Sequence, residues 1–426
     1  MMLPLTSLKI VLSFLLVVGS PVFSIPLNTH TTAVSLVAKF KTAGVTNIVA
    51  NDRARAQALH QAAKIGKHYA NASITNVAPI GYTIQVGIGN PVKHYGLLVD
   101  TASGNTWIGA DQDYTITRTS ASTGNTVSVS YGSGNFSGKE YLDTITLSSL
   151  SISNQSIGVA NKYQGFRGVD GVLGIGPASL TKGTVSNTDT VPTIMDNLFS
   201  QKSIGSEILG VYFVPVSEED ATGTLTFGGW NSTLMTSDIT YAPITTASPA
   251  CSYWGINQSI TYGDETILSS TAGIVDTATV LVLIATDAFD TYKDATGATL
   301  DETTGLLKIT SDQYSSLKPL IFTIGGTALT LTPNAQIWPR SMNSVIGDTS
   351  GNSDNIYLIV ADIGSETFGF VSGYTFLSVI IYHIVSNHCT ANCGVCALSE
   401  RFYSIFDTTN KRVGFATTAY TESASN

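Results

Sequence analysis

The sequence predicts a mainly β protein built from two similar lobes. Three observations predict this fold: a composition rich in Gly, Ser, Thr and Val, an internal repeat one domain apart, and many short alternating segments bounded by turn residues. The chain has 426 residues, of which 12% are charged and 39 are glycine. That length is too great for one compact core, and the composition favours short strands and turns over long helices.

The internal repeat is the strongest of these observations. Residues 97–103 (LLVDTAS) match residues 273–279 (GIVDTAT), 176 residues further along the chain. In each copy an apolar strand ends in Asp-Thr-Ala followed by Ser or Thr. One such tetrapeptide is a common start of a turn. Two of them, in matching contexts and at a domain's spacing, predict a duplicated lobe.

The first 24 residues predict a secretory signal peptide. Lys9 provides the positive charge, residues 10–18 form an apolar run, and residues 22–24 offer modest side chains to a signal peptidase. The run is too short to span a membrane. We therefore expect a secreted, extracellular protein with no membrane partner. Glycosylation sequons agree with this route and lie at Asn71, Asn135, Asn154, Asn231 and Asn257.

Residues 25–75 predict an inhibitory propeptide. They hold six basic side chains against the single acid Asp52, whereas the rest of the chain is strongly acidic. A helix is predicted over residues 51–70, which are rich in Ala. A basic segment before an acidic body predicts an inhibitor that charge attraction holds and acid releases. The acidic body also argues against nucleic acid as a partner.

Residues 76–243 and 244–426 are the two predicted lobes. From Ile80 onwards, short segments alternate apolar with polar residues, as strands do. Helices are predicted only near residues 192–200, 286–293 and 311–317.

The residues available for catalysis indicate carboxylate chemistry. After residue 75 the histidines are only His94, His383 and His388, so few histidines are available for a Ser-His-Asp or Cys-His site. Neither an HExxH pair nor a phosphate-binding Gly-rich loop is present. Two carboxylates held together share one proton, so one can accept a proton from water while the other donates to a carbonyl oxygen. Asp100 and Asp276 are the predicted pair, with no cofactor and no metal.

Five stretches resemble the pepsin-like aspartic protease family, and most closely the secreted basidiomycete acid proteases. They are residues 97–110 (LLVDTASGNTWIGA), 127–138 (VSVSYGSGNFSG), 171–177 (GVLGIGP), 272–289 (AGIVDTATVLVLIATDAF) and 406–416 (FDTTNKRVGFA). The resemblance runs from about Gly81 to Ala416. It implies a bilobal pepsin-like fold with two β-barrel-like lobes and an active-site cleft between them. It also implies cleavage of polypeptides. The shared proton of the two carboxylates predicts an acidic working range, and we expect a monomer.

The resemblance implies roles for the matching positions. Asp100 and Asp276 would be catalytic, and Thr101 and Thr277 would interlock their two loops. The outer carboxylate oxygens would accept hydrogen bonds from Ser103 and Thr279. The flap over the cleft would carry Tyr131 and Gly132, with Trp107 supporting it from below.

Two positions depart from the family pattern. Ala102 and Ala278 stand where the family has Gly after Asp-Thr. Their methyl groups would crowd the opposite loop or the substrate, whereas their N–H groups would stay available. Two functions therefore remain open: an active acid endopeptidase, which we favour, and an impaired homologue that binds peptides without cutting them. The flap-like hairpin and the repeat disfavour a glycosidase.

Residues 378–399 form an anomalous insertion in the second lobe. Deleting these 22 residues restores the family's usual short helix and strand. The insertion carries a cluster that permits a zinc site, made of His383, His388, Cys389, Cys393 and Cys396. A zinc site, an ordinary surface loop and a translated intron all stay open, and we favour the intron.

Overall fold

The structure is a computed structural model that describes residues 31–40, 47–65, 80–132, 134–213, 222–352, 354–365, 369–373 and 401–422. It confirms the mainly β fold. The predicted signal peptide and the insertion 378–399, with its Cys and His cluster, lie outside the described residues. Among those described, no helix is long and apolar enough to cross a membrane.

Most of the described elements are short strands. In the first half these are β1 Thr32–Phe40, β2 Ile80–Ile88, β3 Lys93–Asp100, β4 Trp107–Ile108, β5 Ala121–Ser130, β6 Asn135–Leu147, β7 Leu150–Gln164, β8 Gly171–Gly174, β9 Ile208–Tyr212, β10 Thr222–Phe227 and β11 Thr240–Pro243. In the second half they are β12 Gly255–Tyr262, β13 Glu265–Val275, β14 Val282–Ile284, β15 Thr299–Leu300, β16 Leu307–Ile309, β17 Leu320–Ile324, β18 Thr327–Leu331, β19 Ile356–Tyr357, β20 Val360–Asp362, β21 Phe370–Ser372, β22 Phe402–Asp407 and β23 Arg412–Thr417.

The described α-helices are few. They are α1 Ile48–Ile65, α2 Ile194–Ser200, α3 Thr286–Thr296 and α4 Ser311–Ser315. The last three lie where the sequence predicted helices. Helix α1 begins three residues before its predicted start, and the end of that prediction, residues 66–70, is not described. Short 3₁₀ turns occur at Ala178–Thr181, Ser232–Leu234, Ala250–Ser252, Asn334–Gln336 and Arg340–Ile346.

Three sheets organise the described strands. The largest has thirteen strands in the order β11-β23-β22-β9-β10-β1-β2-β3-β8-β4-β7-β6-β5. The second has the order β18-β17-β12-β13-β21-β14-β20, and a small third has the order β15-β16-β19. Strand β22 pairs with β9, and β23 pairs with β11. The end of the chain thus returns to the sheet of the first half, and one continuous sheet joins the two predicted lobes.

The strand pairing repeats between the two halves. Strand β3 pairs in parallel with β8, and β4 pairs antiparallel with β8 and parallel with β7. In the second half, β13 pairs in parallel with β21, and β14 pairs antiparallel with β21 and parallel with β20. The two Asp-Thr-Ala loops follow β3 and β13. The duplication predicted from the sequence is therefore present in the topology, and each loop starts from an inner strand.

The N-terminal segment is built into the fold. Strand β1 lies between β10 and β2 and pairs antiparallel with both. The sequence prediction for residues 25–75 included a helix but not this strand. The available signal was the alternation of Val34 and Leu36, which are buried, with Ala33 and Ser35, which are exposed.

Candidate active site

The structure brings together the two carboxylates that the repeat singled out. Asp100 and Asp276 are 1% and 0% exposed. One terminal nitrogen of the Arg55 guanidinium donates to Oδ1 of Asp100 at 2.7 Å and to Oδ1 of Asp276 at 3.1 Å. Because a single nitrogen reaches both groups, the two carboxyls face one small volume, although 176 residues separate them in the chain.

The two loops interlock through their threonines. The Thr101 N–H donates to Thr277 Oγ1 at 3.1 Å, and the Thr277 N–H donates to Thr101 Oγ1 at 3.0 Å. Each hydroxyl donates in turn to the opposite strand, to Val275 O at 3.5 Å and to Val99 O at 3.1 Å. This reciprocal arrangement is the one that the resemblance implied. It holds the two carboxylates in a defined relative position.

Both alanines keep the hydrogen bond that glycine would make. The Ala102 N–H donates to Asp100 Oδ1 at 2.8 Å, and the Ala278 N–H donates to Asp276 Oδ1 at 3.0 Å. Both residues are buried. The methyl groups thus occupy interior positions without removing the backbone donors from the carboxylates.

The hydroxyl groups of Ser103 and Thr279 make different hydrogen bonds. Thr279 Oγ1 donates to Asp276 Oδ2 at 2.5 Å, as the resemblance implied. Ser103 is also buried, but its Oγ makes no hydrogen bond to Asp100. Asp276 therefore has one more donor from its own loop than Asp100 has.

The hairpin of β5 and β6 carries at its tip Tyr131 and Gly132, the residues predicted to form a flap. Its tip closes with a hydrogen bond from the Tyr131 N–H to Gly134 O at 2.8 Å. Tyr131 packs edge-on against Phe166, with ring centroids 5.1 Å apart. Trp107 stacks on Phe136 of the hairpin at 4.3 Å. Burial raises the pKa of Tyr131, so its hydroxyl stays protonated.

Helix α1 lies between the flap and the two carboxylates. A methyl group added to Gly132 would lie 2.5 Å from Ala54 O and 2.5 Å from Ala58 Cβ, so the flap tip packs directly on the helix. The Tyr253 hydroxyl also contacts α1 and donates to Leu59 O at 2.9 Å. In this position α1 occupies the space in front of the carboxylates.

Arg55 contacts both carboxylates, although the sequence did not single it out. Besides the shared contact, its Nε donates to Asp276 Oδ2 at 2.7 Å. Its side chain is 4% exposed. In the sequence Arg55 was one of six basic residues in a basic segment. No local pattern indicates its partners, which lie 45 and 221 residues away.

Asp52 makes a second polar contact from α1. Its Oδ2 accepts hydrogen bonds from the Val280 N–H at 2.9 Å and the Leu281 N–H at 2.7 Å. Burial, only partly opposed by these two bonds, raises the pKa of Asp52 to about 8. A protonated carboxyl group still offers an oxygen to both donors, so acid does not break this contact.

The pKa values of the two carboxyls move in opposite directions. Burial raises the pKa of Asp100 to about 6, with the Arg55 charge opposing this rise and the Asp276 charge adding to it. Burial acts on Asp276 too, but Arg55 and Thr279 more than offset it and hold its pKa below the ordinary value. The physical cause is the unequal number of donors, since Arg55 makes two bonds to Asp276 and one to Asp100. The pair therefore holds one proton over part of the acid range.

Among the described residues, no three His, Cys, Asp or Glu side chains are grouped as metal ligands would be. Cys251 is exposed and makes no disulfide bond within the part of the chain that the structure describes.

Comparison with known proteins agrees with this geometry. A family model described as eukaryotic aspartyl protease matches residues 81–349. Polyporopepsin of Irpex lacteus is 53% identical over 354 residues, which cover 82% of this chain and 97% of that protein. Rhizopuspepsin of Rhizopus chinensis is 32% identical over 332 residues, 70% of this chain and 81% of that protein.

A solved structure agrees as well. The crystal structure of the aspartic proteinase from Irpex lacteus aligns with a TM-score of 0.73 at 53% identity, and covers 81% of this chain and 96% of that one. The span matched by the family model contains Asp100 and Asp276 together with the interlocked threonines. With this site inside that match, the chain belongs to the eukaryotic aspartyl proteases and is an aspartic endopeptidase.

Proposed function

We propose that the chain is the latent precursor of a secreted endopeptidase that cleaves internal peptide bonds of polypeptides at acidic pH. Residues 1–24 direct secretion, residues 25–75 are the propeptide, and Asp100 and Asp276 form the catalytic pair. The proposal rests on the contact of Arg55 with both carboxylates. This contact blocks the two groups that would hydrolyse the peptide bond.

The proposed mechanism uses the two carboxyls as an acid–base pair. The ionised carboxylate accepts a proton from a water molecule, and this water attacks the scissile carbonyl carbon. The protonated partner donates a hydrogen bond to the carbonyl oxygen, where negative charge develops. The amine then leaves with a proton from the pair, and no covalent adduct with the enzyme forms. Thr101 and Thr277 fix the geometry, and the flap with Tyr131 excludes water.

Arg55 opposes this chemistry in two ways. It occupies the space in which the attacking water would lie, and its charge favours ionisation of both carboxyls, whereas the mechanism needs one of them protonated. Its attraction is present above the pKa values of the two carboxyls and is lost as the pH falls through them. The loss begins near pH 6, where Asp100 takes up its proton, and is completed below the ordinary value of 3.8, where Asp276 does.

The geometry supports catalytic competence despite the two alanines. Ala102 and Ala278 retain the N–H bonds to the carboxylates, and the threonine interlock is complete. The impaired, peptide-binding homologue gains no supporting contact from the described residues.

Acidification of the purified precursor tests the proposal. At neutral pH the protein that begins near Ile25 should be inactive. In acid it should lose roughly fifty residues, which moves its N-terminus to between Lys67 and Ala78, and then cleave a denatured protein substrate. N-terminal sequencing and a protease assay on the same samples give the result. Full activity of a folded preparation that still begins near Ile25 would contradict the proposal.

A further inference from the structure

A second arginine of α1 is held at the rim of the site. One terminal nitrogen of Arg53 donates to Asp362 Oδ2 at 3.0 Å, and its Nε donates to the backbone carbonyl of Asp362 at 3.1 Å. The guanidinium group thus directs two donors to one residue, which is the forked geometry that arginine offers and lysine does not. The two side chains are 37% and 19% exposed, so the contact is open to solvent on one side.

Asp362 is oriented by its own half of the protein. Its Oδ1 accepts hydrogen bonds from Thr286 Oγ1 at 2.7 Å and from the Gly364 N–H at 2.7 Å. Neither donor belongs to α1. The carboxylate therefore keeps two of its hydrogen bonds, and hence its orientation, when α1 is removed.

Gly364 leaves room for the aliphatic part of the arginine side chain. A methyl group added to it would lie 2.9 Å from Cδ and 3.2 Å from Nε of Arg53. The φ angle of Gly364 is +76°, a region that glycine adopts most easily. A cavity of about 350 Å³ continues along this rim, with Ile363, Gly364 and Ser365 on one wall and α1 on the other.

We propose that Asp362 and Gly364 form a guanidinium-binding subsite, which selects an arginine of the polypeptide substrate once α1 has left. This inference rests on the proposed release of α1. Arg53 lies two residues before Arg55 on α1, and side chains two residues apart leave a helix in different directions. The subsite therefore lies to one side of the two carboxylates that Arg55 contacts.

Matched peptides test the subsite. The shortened enzyme is given a series in which one arginine moves through the positions on either side of a fixed scissile bond. Each peptide is paired with one that carries citrulline at the same position, which keeps the shape and loses the charge. At one position kcat/KM should be up to roughly fivefold higher for arginine, as expected for a partly exposed ion pair. This preference should fall as ionic strength rises.

Three variants identify the residues responsible. Asp362→Asn keeps an oxygen for Thr286 and Gly364 but removes the charge. The ratio of kcat/KM for the arginine peptide to kcat/KM for the citrulline peptide should therefore fall towards one. Gly364→Ala should lower the ratio as well, because its methyl group occupies the place of the arginine stem. Asp290→Asn removes a charge from the exposed face of α3 and should leave the ratio unchanged. Thermal unfolding of each variant verifies that it is folded.

The outcomes separate the subsite from the proposed function. A ratio near one at every position in the wild type, or a ratio that survives in Asp362→Asn, overturns the subsite. Failure to cleave the neutral peptides contradicts the proposed function instead. In that case calorimetric binding of the arginine and citrulline peptides decides the subsite, since an equal affinity for both would overturn it.

Discussion

Replacing Arg55 with alanine tests the origin of the latency. The Arg55 side chain is 4% exposed and forms ion pairs of 2.7 Å with both Asp100 and Asp276. Removal of one partner from a buried ion pair costs about 3–5 kcal/mol, because the remaining charge loses its counter-ion. Here the two carboxyls can share a proton and relieve part of that cost, so the lower end applies. About 3 kcal/mol corresponds to a change of roughly a hundredfold in the equilibrium between precursor with α1 in front of the carboxylates and precursor with α1 displaced.

The assay measures the initial rate of unshortened precursor on a quenched fluorescent peptide. It is run at the highest pH at which the shortened wild-type enzyme still cleaves that peptide. The Arg55→Ala precursor should start roughly a hundredfold faster than the wild-type precursor. The same change combined with Asp100→Asn should give no rate, which excludes a contaminating protease.

Arg53→Ala provides the matched control, because Arg53 lies on the same helix and pairs with Asp362 rather than with Asp100 and Asp276. A partly exposed pair contributes about 1 kcal/mol or less, so the initial rate should rise by no more than roughly fivefold. If the Arg55→Ala precursor retains an intact N-terminus and is as inactive as the wild type, while its shortened form is active, Arg55 does not cause the latency.

Four further predictions follow from the same geometry. Asp100→Asn and Asp276→Asn should each abolish peptide cleavage by the shortened enzyme, and substantial activity in either purified variant would contradict the paired-carboxylate mechanism. Protection of α1 from amide hydrogen exchange should weaken as the pH falls through about 6, where Asp100 takes up a proton and its ion pair with Arg55 is lost, and this fall should be larger in the Asp52→Asn precursor, because the contribution of the protonated Asp52 is lost as the pH rises from about 4 to about 8; an unchanged profile in Asp52→Asn would refute the Asp52 assignment, and no fall in either protein would refute that of Asp100. The double change Ala102→Gly and Ala278→Gly should raise kcat if the methyl groups displace the reacting groups, since about 1 Å can cost on the order of a hundredfold; an unchanged kcat would show that they are tolerated. Complementary DNA should lack the codons of residues 378–399 in most transcripts, and their presence in essentially all of them would favour a surface loop.

The sequence alone determined the fold class and the pair of carboxylates. Strand alternation and turn residues act over a few neighbouring positions, so β2 and the helices α2, α3 and α4 could be predicted from local pattern. The repeat around Asp100 and Asp276 required only a comparison of the chain with itself. A resemblance to a known family then supplied the interlock of Thr101 and Thr277, which the structure contains.

Only the tertiary structure decided how the N-terminal segment meets the site. Arg55 reaches carboxylates 45 and 221 residues away, and Arg53 reaches Asp362 across 309 residues. Asp52, the single acid of a basic segment, accepts two backbone hydrogen bonds from the second Asp-Thr-Ala loop and its continuation. A charged side chain looks the same in the sequence whether it faces water or a buried carboxylate. Its role depends on which distant groups the folded chain brings within about 3 Å of it, because hydrogen bonds and direct ion-pair contacts form only at that range.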